Sequence, residues 1–450
     1  MSLVSLHDAL NYTALSDLTV SPGGSRILYR THRPDLESNG YIHQLWMKVG
    51  DGRPAPLELA MSGRPLWLDE DTVLHAAPAP HGETVFCRTS LTDGSRTELC
   101  RAPFPASPIA RVDEDTVLIR AHVDLRAREL FAGKTGAALE EARRELALER
   151  EDCMIMDEFP YWANGAGLLN KTRGCLFLCR SSGELTQLTG DDFTVGGAVY
   201  CPDCRTVFFS GAAFTVLRPF FLGVWSLNLD TMERRELMAE GEYLVEGLTL
   251  TGRGLAVMAS FQGGTIAKTA DIYLIDPRSG DVRLLCAQEL SMGSSVCSDC
   301  TYPGGQTFAA KEDKLYFTAT VNEVSQLLCC DMDGNVATVV ESRGTVDCFD
   351  FCPQGIWFVG LQDMRQQELY FQPSQGDFRR VTDYNDGFYR EKRLSQPKPL
   401  SFINSEGNEI RGFVLEPMVP SDDKNCPAIL DIHGGPLAAY GPVYYHEMQY

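Results

Sequence analysis

Residues 427–436 read Pro-Ala-Ile-Leu-Asp-Ile-His-Gly-Gly-Pro, and this stretch decides how the end of the chain folds. The apolar run at residues 428–432 is short, branched and bounded by proline, which predicts a buried strand. It leads directly into the turn at residues 433–436, and residues 438–450 are predicted to begin a helix. The sequence therefore predicts a strand, a glycine turn and a helix in succession.

A glycine turn between a strand and a helix is where α/β-hydrolases place their oxyanion loop. A tetrahedral acyl intermediate carries an oxyanion, and rigid backbone N–H groups stabilise it from about 3 Å away. Glycine is needed where the backbone must come that close, because a side chain would block the substrate. His433, Gly434, Gly435 and Pro436 are therefore predicted to form an oxyanion loop. The alternative is an ordinary turn that ends a strand.

Length, charge and cysteine usage narrow the class of protein. The chain has 450 residues, enough for two or more domains, and a formal net charge of −21. This negative charge argues against nucleic acid and against an anionic membrane as partners. No apolar run reaches the roughly 18 residues of a transmembrane helix, and the N-terminus lacks the features of a signal peptide. Because the 15 cysteines follow no disulfide framework, we expect a reducing, cytoplasmic location.

A short strand, a polar turn and a second strand recur along the chain. These hairpins lie at residues 45–57, 85–99, 176–188, 224–237, 272–285, 327–340 and 369–381, mostly about 40 to 55 residues apart. A second set of turns leads into apolar strands at residues 21–24, 68–71, 112–115, 201–204, 251–254, 311–314 and 352–355. Two hairpins per period give four strands, and a four-stranded unit of this length is a propeller blade. Seven periods therefore predict an all-β, seven-bladed β-propeller.

The spacing of the repeats breaks once, at about residues 135–165. Leu139, Ala142 and Leu146 lie on one face of a predicted amphipathic surface helix over residues 135–152. The aromatic stretch that follows carries Glu158. One interpretation makes this stretch a lip over a substrate cavity, where Glu158 binds the free amino group of a peptide. The favoured interpretation is a connection that packs aromatic side chains onto the propeller.

Two Cys-x-x-Cys pairs raise the question of a zinc site. Cys201 and Cys204 fill the same turn position as residues 21–24, so the repeat accounts for them. Cys297 and Cys300 belong to another predicted blade. We therefore expect no metal and no other cofactor.

The repeat ends near residue 390. A linker with two prolines precedes a predicted hairpin at residues 400–415, and the oxyanion loop follows it. We therefore predict a β-propeller over residues 1–389 with a helical insertion. Residues 390–450 are predicted to be the N-terminal start of an α/β-hydrolase domain, which is incomplete.

A propeller, a linker, a hairpin and a strand that ends in His-Gly-Gly-Pro together resemble the prolyl oligopeptidase family of serine peptidases. The Tyr440-Gly441 pair and the Ser-Pro-Gly-Gly turn at residues 21–24 add to this resemblance. Within the family, the sequence is similar to the acylaminoacyl-peptidase and dipeptidyl-peptidase-like bacterial branch.

The resemblance implies an active site where the peptidase domain meets the propeller, which restricts access to short peptides. It implies that Gly434 and Gly435 donate backbone hydrogen bonds near the oxyanion, and it makes Tyr440 a candidate for contact with the substrate. Prolyl oligopeptidases themselves use a tyrosine where this chain has His433. The side-chain role of His433 is therefore open, between catalysis and holding the turn. A homo-oligomer is compatible with the family.

The catalytic triad of such a peptidase does not occur in this sequence. An α/β-hydrolase needs a serine in a Gly-x-Ser-x-Gly elbow, followed by an aspartate and a histidine. Residues 1–450 contain no such elbow. Because a complete hydrolase domain needs roughly 200 residues more, we expect the triad beyond Tyr450.

Two functions are compatible with these features. The first is a serine peptidase that hydrolyses short peptides. The second is a non-catalytic propeller that binds a protein or peptide partner, since propellers host many unrelated functions. The C-terminal residues favour the peptidase, because a pure propeller needs neither the linker nor the oxyanion loop.

Overall fold

The computed structural model describes residues 1–164, 167–261, 263, 268–419, 426–435 and 437–450. Within these ranges the chain divides into two compact units. The first unit comprises Met1–Leu59, Asp69–Asp71 and Leu285–Tyr450, and the second comprises Ala60–Leu68 and Thr72–Leu284. Both units consist mainly of antiparallel β-sheet, as the hydrophobic pattern predicts.

Most of the chain forms short strands joined by tight turns. In the first half the strands are β1 (Ala14–Val20), β2 (Arg26–Asp35), β3 (Gly40–Val49), β4 (Ala55–Pro56), β5 (Ser62–Trp67), β6 (Thr72–Pro78), β7 (Thr84–Ser90), β8 (Arg96–Ala102), β9 (Ala106–Arg111), β10 (Thr116–Asp124), β11 (Trp162–Ala163), β12 (Gly167–Leu168), β13 (Thr172–Arg180), β14 (Leu185–Gln187), β15 (Phe193–Cys201) and β16 (Thr206–Ala213). In the second half they are β17 (Leu222–Asn228), β18 (Arg234–Thr251), β19 (Gly254–Phe261), β20 (Asp271–Ile275), β21 (Val282–Cys286), β22 (Ser291–Met292), β23 (Phe308–Lys311), β24 (Lys314–Val321), β25 (Val324–Cys330), β26 (Val336–Val340), β27 (Cys348–Cys352), β28 (Gly355–Gly360), β29 (Glu368–Pro373), β30 (Arg379–Arg380), β31 (Lys398–Ile403) and β32 (Glu409–Val414).

Helices are few. The α-helices are α1 (Leu125–Phe131), α2 (Gly136–Glu149) and α3 (Asp386–Glu391), and two short 3-10 helices span Leu6–Asn11 and Pro80–Gly82. Within the described ranges, no helix is both long enough and apolar enough to cross a membrane. The α2 helix confirms the helix predicted at residues 135–152, and it buries Ala142 and Leu146 of the predicted apolar face.

The first unit contains separate sheets of consecutive strands. Their strand orders are β1-β2-β3-β4, β22-β24-β25-β26 with β23 paired to β24, β27-β28-β29-β30 and β31-β32. Strand β1 packs beside β27 and β28, and Leu18, Tyr29 and Val359 are fully buried in one hydrophobic cluster there. Branched and aromatic side chains thus face each other between strands, which is the arrangement that excludes water from a sheet protein.

The second unit repeats the same pattern. Its sheets have the strand orders β5-β6-β7-β8, β14-β13-β10-β9 and β11-β12, and a seven-stranded sheet runs in sequence from β15 to β21. Leu74, Phe86 and Ile119 are fully buried in its largest cluster. Apart from β10 and β13, whose connection contains α1, α2, β11 and β12, paired strands follow each other in sequence, so short turns connect them.

Every hairpin and turn set out from the sequence is found in the structure. The seven hairpins are β3–β4, β7–β8, β13–β14, β17–β18, β20–β21, β25–β26 and β29–β30. The second set of turns joins β1–β2, β5–β6, β9–β10, β15–β16, β18–β19, β23–β24 and β27–β28. The hairpin predicted at residues 400–415 is also confirmed, since β31 and β32 pair in continuous antiparallel register.

Two elements predicted near the end of the chain are wrong. Residues 428–432 form no strand, and Ile429 and Leu430 expose 96% and 85% of their surface. A strand needs hydrogen-bonding partners along its backbone, and in the described part of the chain no other segment pairs with these residues. Residues 438–450 form no helix; they are irregular, with bends and one turn at residues 447–449. Pro442 contributes to this difference, because it lacks an N–H and disfavours a helical residue before it.

Candidate functional site

The predicted oxyanion loop contains a backbone conformation that glycine alone adopts without strain. Gly435 has a φ angle of +133°, and a Cβ atom built on it would lie 2.7 Å from the backbone nitrogens of Leu437 and Ala438. Any other residue would therefore clash with the backbone that follows. Gly434 is different, since no described atom lies within 4 Å of a Cβ atom built there. Pro436 lies outside the described residues.

The backbone amides of Gly434 and Gly435 make no hydrogen bond to another described residue. In the part of the chain that the structure describes, the N–H groups of Gly434 and Gly435 donate no hydrogen bond. Both glycines are exposed. Backbone donors that are preorganised but unpaired are what an oxyanion site requires, because they then need no reorganisation during the reaction.

His433 contacts its own loop. Its Nδ1 lies 2.9 Å from the carbonyl oxygen of Gly434, which can only accept, so Nδ1–H is the donor. The imidazole also meets the ring of Tyr440 edge to face, with centroids 5.9 Å apart. These contacts favour the interpretation in which the side chain of His433 holds the turn.

Tyr440, the candidate substrate contact, is half-buried beside the loop. Burial, followed by a hydrogen bond with Asp431, raises the pKa of Tyr440 to about 12. Its hydroxyl therefore stays protonated at neutral pH and can act only as a neutral donor or acceptor. Its role in binding a substrate stays a prediction.

The segment after the loop is joined to other residues of the first unit through backbone hydrogen bonds. The N–H of Ala439 donates to the carbonyl of Ser295 at 3.0 Å, and the N–H of Cys297 donates to the carbonyl of Ala439 at 2.8 Å. Gly441 comes so close that an added Cβ atom would lie 2.2 Å from the carbonyl oxygen of Glu323. The loop is therefore fixed from its C-terminal side. The sequence does not indicate these partners, because nothing local marks a contact between residues so far apart in the chain.

Glu158 lies in the second unit, buried with Arg173. Its oxygens accept from Arg173 Nη2 at 2.6 Å and Nη1 at 3.0 Å, and from the backbone N–H of Lys171 at 3.0 Å. The Arg173 guanidinium also lies over the ring of Phe214, 4.0 Å from its centroid. A peptide amino group would have to displace Arg173 to reach this carboxylate. The anchoring role of Glu158 stays a prediction, and these contacts weigh against it.

Comparison with known proteins finds similarity to peptidases. No family model matches the sequence. The uncharacterized peptidase YuxL of Bacillus subtilis (strain 168) is 21% identical, over 99% of this chain and 68% of the relative. A solved acylaminoacyl peptidase in complex with Z-Gly-Gly-Phe-chloromethyl ketone is 16% identical and matches with a TM-score of 0.75, over 99% of this chain and 64% of the other.

A third similarity covers the strand-rich part. The β-propeller domain of the Trilobed protease from Pyrococcus furiosus is 13% identical and matches with a TM-score of 0.54, over 84% of this chain and 98% of that domain. At such identities the two solved structures establish a shared fold. This chain spans slightly less than two thirds, 64%, of the length of the acylaminoacyl peptidase it matches.

Proposed function

We propose that this chain, which resembles the prolyl oligopeptidase family in sequence and in fold, is part of a serine-type peptidase that hydrolyses short peptides. The observation that carries the proposal is the loop at residues 433–435, where Gly435 has a φ angle of +133° and both glycine amides are unpaired within the described residues. Such a loop suits acyl transfer, because its fixed N–H dipoles stabilise negative charge as it develops.

The proposed reaction uses a nucleophilic serine that the 450 residues do not contain in a Gly-x-Ser-x-Gly elbow. The serine hydroxyl attacks the acyl carbon of the peptide while a histidine takes its proton. The Gly434 and Gly435 amides then hydrogen-bond the oxyanion of the tetrahedral intermediate. The histidine returns the proton to the leaving amine, and water releases the acyl group by the same steps. The proposal places the triad beyond Tyr450.

Access to the site is proposed to be limited by a seven-bladed β-propeller over residues 1–389. Seven hairpins and seven further turns, alternating along the chain, support this architecture. The hydrolase domain is proposed to begin near residue 390, ahead of β31 and β32. Such a barrier admits short peptides and excludes folded proteins, so the proposed substrates are acylated or free-amine short peptides.

The natural full-length protein tests this proposal when it is treated with a fluorophosphonate probe. We expect the probe to label one serine, whose position mass spectrometry identifies. The rate of short-peptide hydrolysis should fall in proportion to the fraction of protein that is labelled. The matched control is the alanine variant of that serine, which should neither label nor hydrolyse. A second assay compares a short peptide with a folded protein that carries the same cleavage sequence, and only the peptide should be cut.

If no serine of the intact protein is labelled, the proposal that the protein is a serine peptidase is wrong. That result would favour the alternative, a non-catalytic propeller that binds a protein or peptide partner. If a serine is labelled but the folded protein is cut as well as the short peptide, the peptidase proposal stands. The proposal that the propeller limits access is then wrong.

A further inference from the structure

Three buried polar side chains join the N-terminal segment of the first unit to its last residues. The Tyr12 hydroxyl lies 2.6 Å from the Tyr444 hydroxyl and 2.8 Å from Nδ1 of His446. Nε2 of His446 lies 3.2 Å from the backbone oxygen of Leu6. The rings of Tyr12 and Tyr444 also pack edge to face, with centroids 5.7 Å apart. These contacts connect the first dozen residues to the segment that follows the oxyanion loop.

The direction of each hydrogen bond in this group follows from its chemistry. The carbonyl oxygen of Leu6 can only accept, so Nε2 of His446 carries the hydrogen and, in the neutral ring, Nδ1 accepts. The Tyr12 hydroxyl, at 2.8 Å, is the nearer donor to Nδ1, and the Tyr444 hydroxyl lies 3.3 Å from the same atom. When Tyr12 donates to Nδ1, Tyr444 donates to Tyr12. Burial raises the pKa of both tyrosines, so both hydroxyls keep their protons at neutral pH. The Tyr12 hydroxyl is therefore central, because its removal breaks two bonds at once.

Asp299 fixes the backbone of the same segment. Its Oδ1 accepts from the N–H of His446 at 2.7 Å, and its Oδ2 accepts from the N–H of Glu447 at 2.9 Å. The neighbouring Ser298 hydroxyl donates to the carbonyl of Tyr444 at 2.9 Å. We call Tyr12, Asp299, Tyr444 and His446 the clasp. It fixes both the side chains and the main chain of residues 444–447.

Among the described residues, the clasp and the docked Ala439 hold the loop from its C-terminal side. On the other side, Ile429, Leu430 and Ile432 are exposed and belong to no sheet of the described residues. The position of the loop amides therefore depends on what is fixed after the loop. Catalytic groups must be held to within about 0.5 Å of their productive geometry, so a small movement of the docked segment would reduce catalysis.

We propose that Tyr12 and Asp299 are positioning residues, which hold the oxyanion loop at residues 433–435 in its productive place through residues 439–447. This inference rests on the proposed peptidase function. Neither residue touches the reacting atoms in this scheme. Their effect is on the transition state, because the oxyanion exists only after attack.

The test uses the natural full-length protein with the variants Tyr12→Phe and Asp299→Asn. Tyr29→Phe is the matched control, because the Tyr29 hydroxyl makes an equivalent 2.7 Å contact with the Tyr384 hydroxyl, which is not part of the clasp. Fluorophosphonate titration counts the active sites, so that kcat refers to folded enzyme. Hydrolysis of one short peptide then gives kcat and KM separately, and thermal melting reports stability.

We expect Tyr12→Phe and Asp299→Asn each to lower kcat about tenfold with KM unchanged, which is the signature of an interaction made only in the transition state. Tyr29→Phe should keep the wild-type kcat, although its melting temperature should also fall, because it loses the hydrogen bond with Tyr384. If all three variants melt earlier but keep the wild-type kcat per active site, the clasp is merely structural and the inference is wrong. A wild-type protein that the probe does not label would instead overturn the proposed function, and the inference with it.

Discussion

Replacing Glu158 by glutamine tests whether the buried Glu158–Arg173 ion pair of the second unit stabilises the fold or whether Glu158 binds a peptide amino group. The change keeps the size and shape of the side chain but removes its charge. In the native protein the Glu158 and Arg173 side chains expose only 1% and 4% of their surface, and two hydrogen bonds join them. The side-chain amide of the glutamine variant cannot accept both of these bonds, so the Arg173 guanidinium would remain buried with a weaker partner.

The expected cost follows from this burial. Removing one charge of a buried ion pair costs about 3 kcal/mol, because the remaining charge is then only partly compensated. Glu184→Gln is the matched control, since its 2.7 Å pair with Arg180 leaves 60% of the Glu184 side chain exposed. Solvent screens such a pair, and we expect its loss to cost less than about 1 kcal/mol.

Urea unfolding of both variants measures the difference, provided that the transitions keep a common slope with denaturant. The same preparations give KM for a free-amine peptide in the full-length protein. We expect Glu158→Gln to lower the free energy of unfolding and to leave this KM unchanged. Equal stability of the two variants would refute the structural reasoning. If Glu158→Gln raises KM strongly without loss of stability, the result supports the prediction that Glu158 binds the peptide amino group.

Two further predictions concern a carboxylate and the loop glycines. Burial raises the pKa of Glu70, but hydrogen bonds from Ser21, Ser25 and the Gly23 amide outweigh it and bring the pKa to about 2 from 4.5. Ionised Glu70 should therefore stabilise the fold by about 1 kcal/mol above pH 4.5, and this stability is lost as the pH falls towards 2. Acid unfolding curves of Glu70→Gln should lack this pH-dependent loss. If Glu70→Gln unfolds in acid with the same profile as the wild type, the prediction is wrong. Gly435→Ala should lower kcat of the full-length peptidase at least about tenfold, by the loss of oxyanion donors. The melting temperature of Gly435→Ala shows whether the variant is still folded. If the folded variant keeps the wild-type kcat, the loop does not stabilise the oxyanion.

The strand pattern could be predicted because its signals are local. Turns such as 201–204 and 352–355 combine proline with residues that suit tight turns, and apolar strands flank them. Each hairpin then pairs residues that are close in sequence. The resemblance to the prolyl oligopeptidase family also came from short motifs, and the match to YuxL and to an acylaminoacyl peptidase confirms it.

The C-terminal elements could not be predicted in the same way. Residues 428–432 have the composition of a strand, but composition does not supply a pairing partner. The backbone conformation of residues 444–447 depends on Asp299, which is 147 residues away from His446. Likewise, the partner of Glu158 is an arginine on β13 that no local pattern marks. The backbone conformation of residues 444–447 and the burial of Glu158 depend on polar contacts between separate segments. The spacing of hydrophobic residues along the sequence carries no information about such contacts.

A structure of the natural full-length protein bearing a phosphonate on its labelled serine tests the central claim most directly. We expect the phosphonyl oxygen that mimics the oxyanion to lie about 3 Å from the N–H of Gly434 or Gly435. An adduct whose oxygen is held by other donors, with both glycine amides turned away from it, would contradict the account.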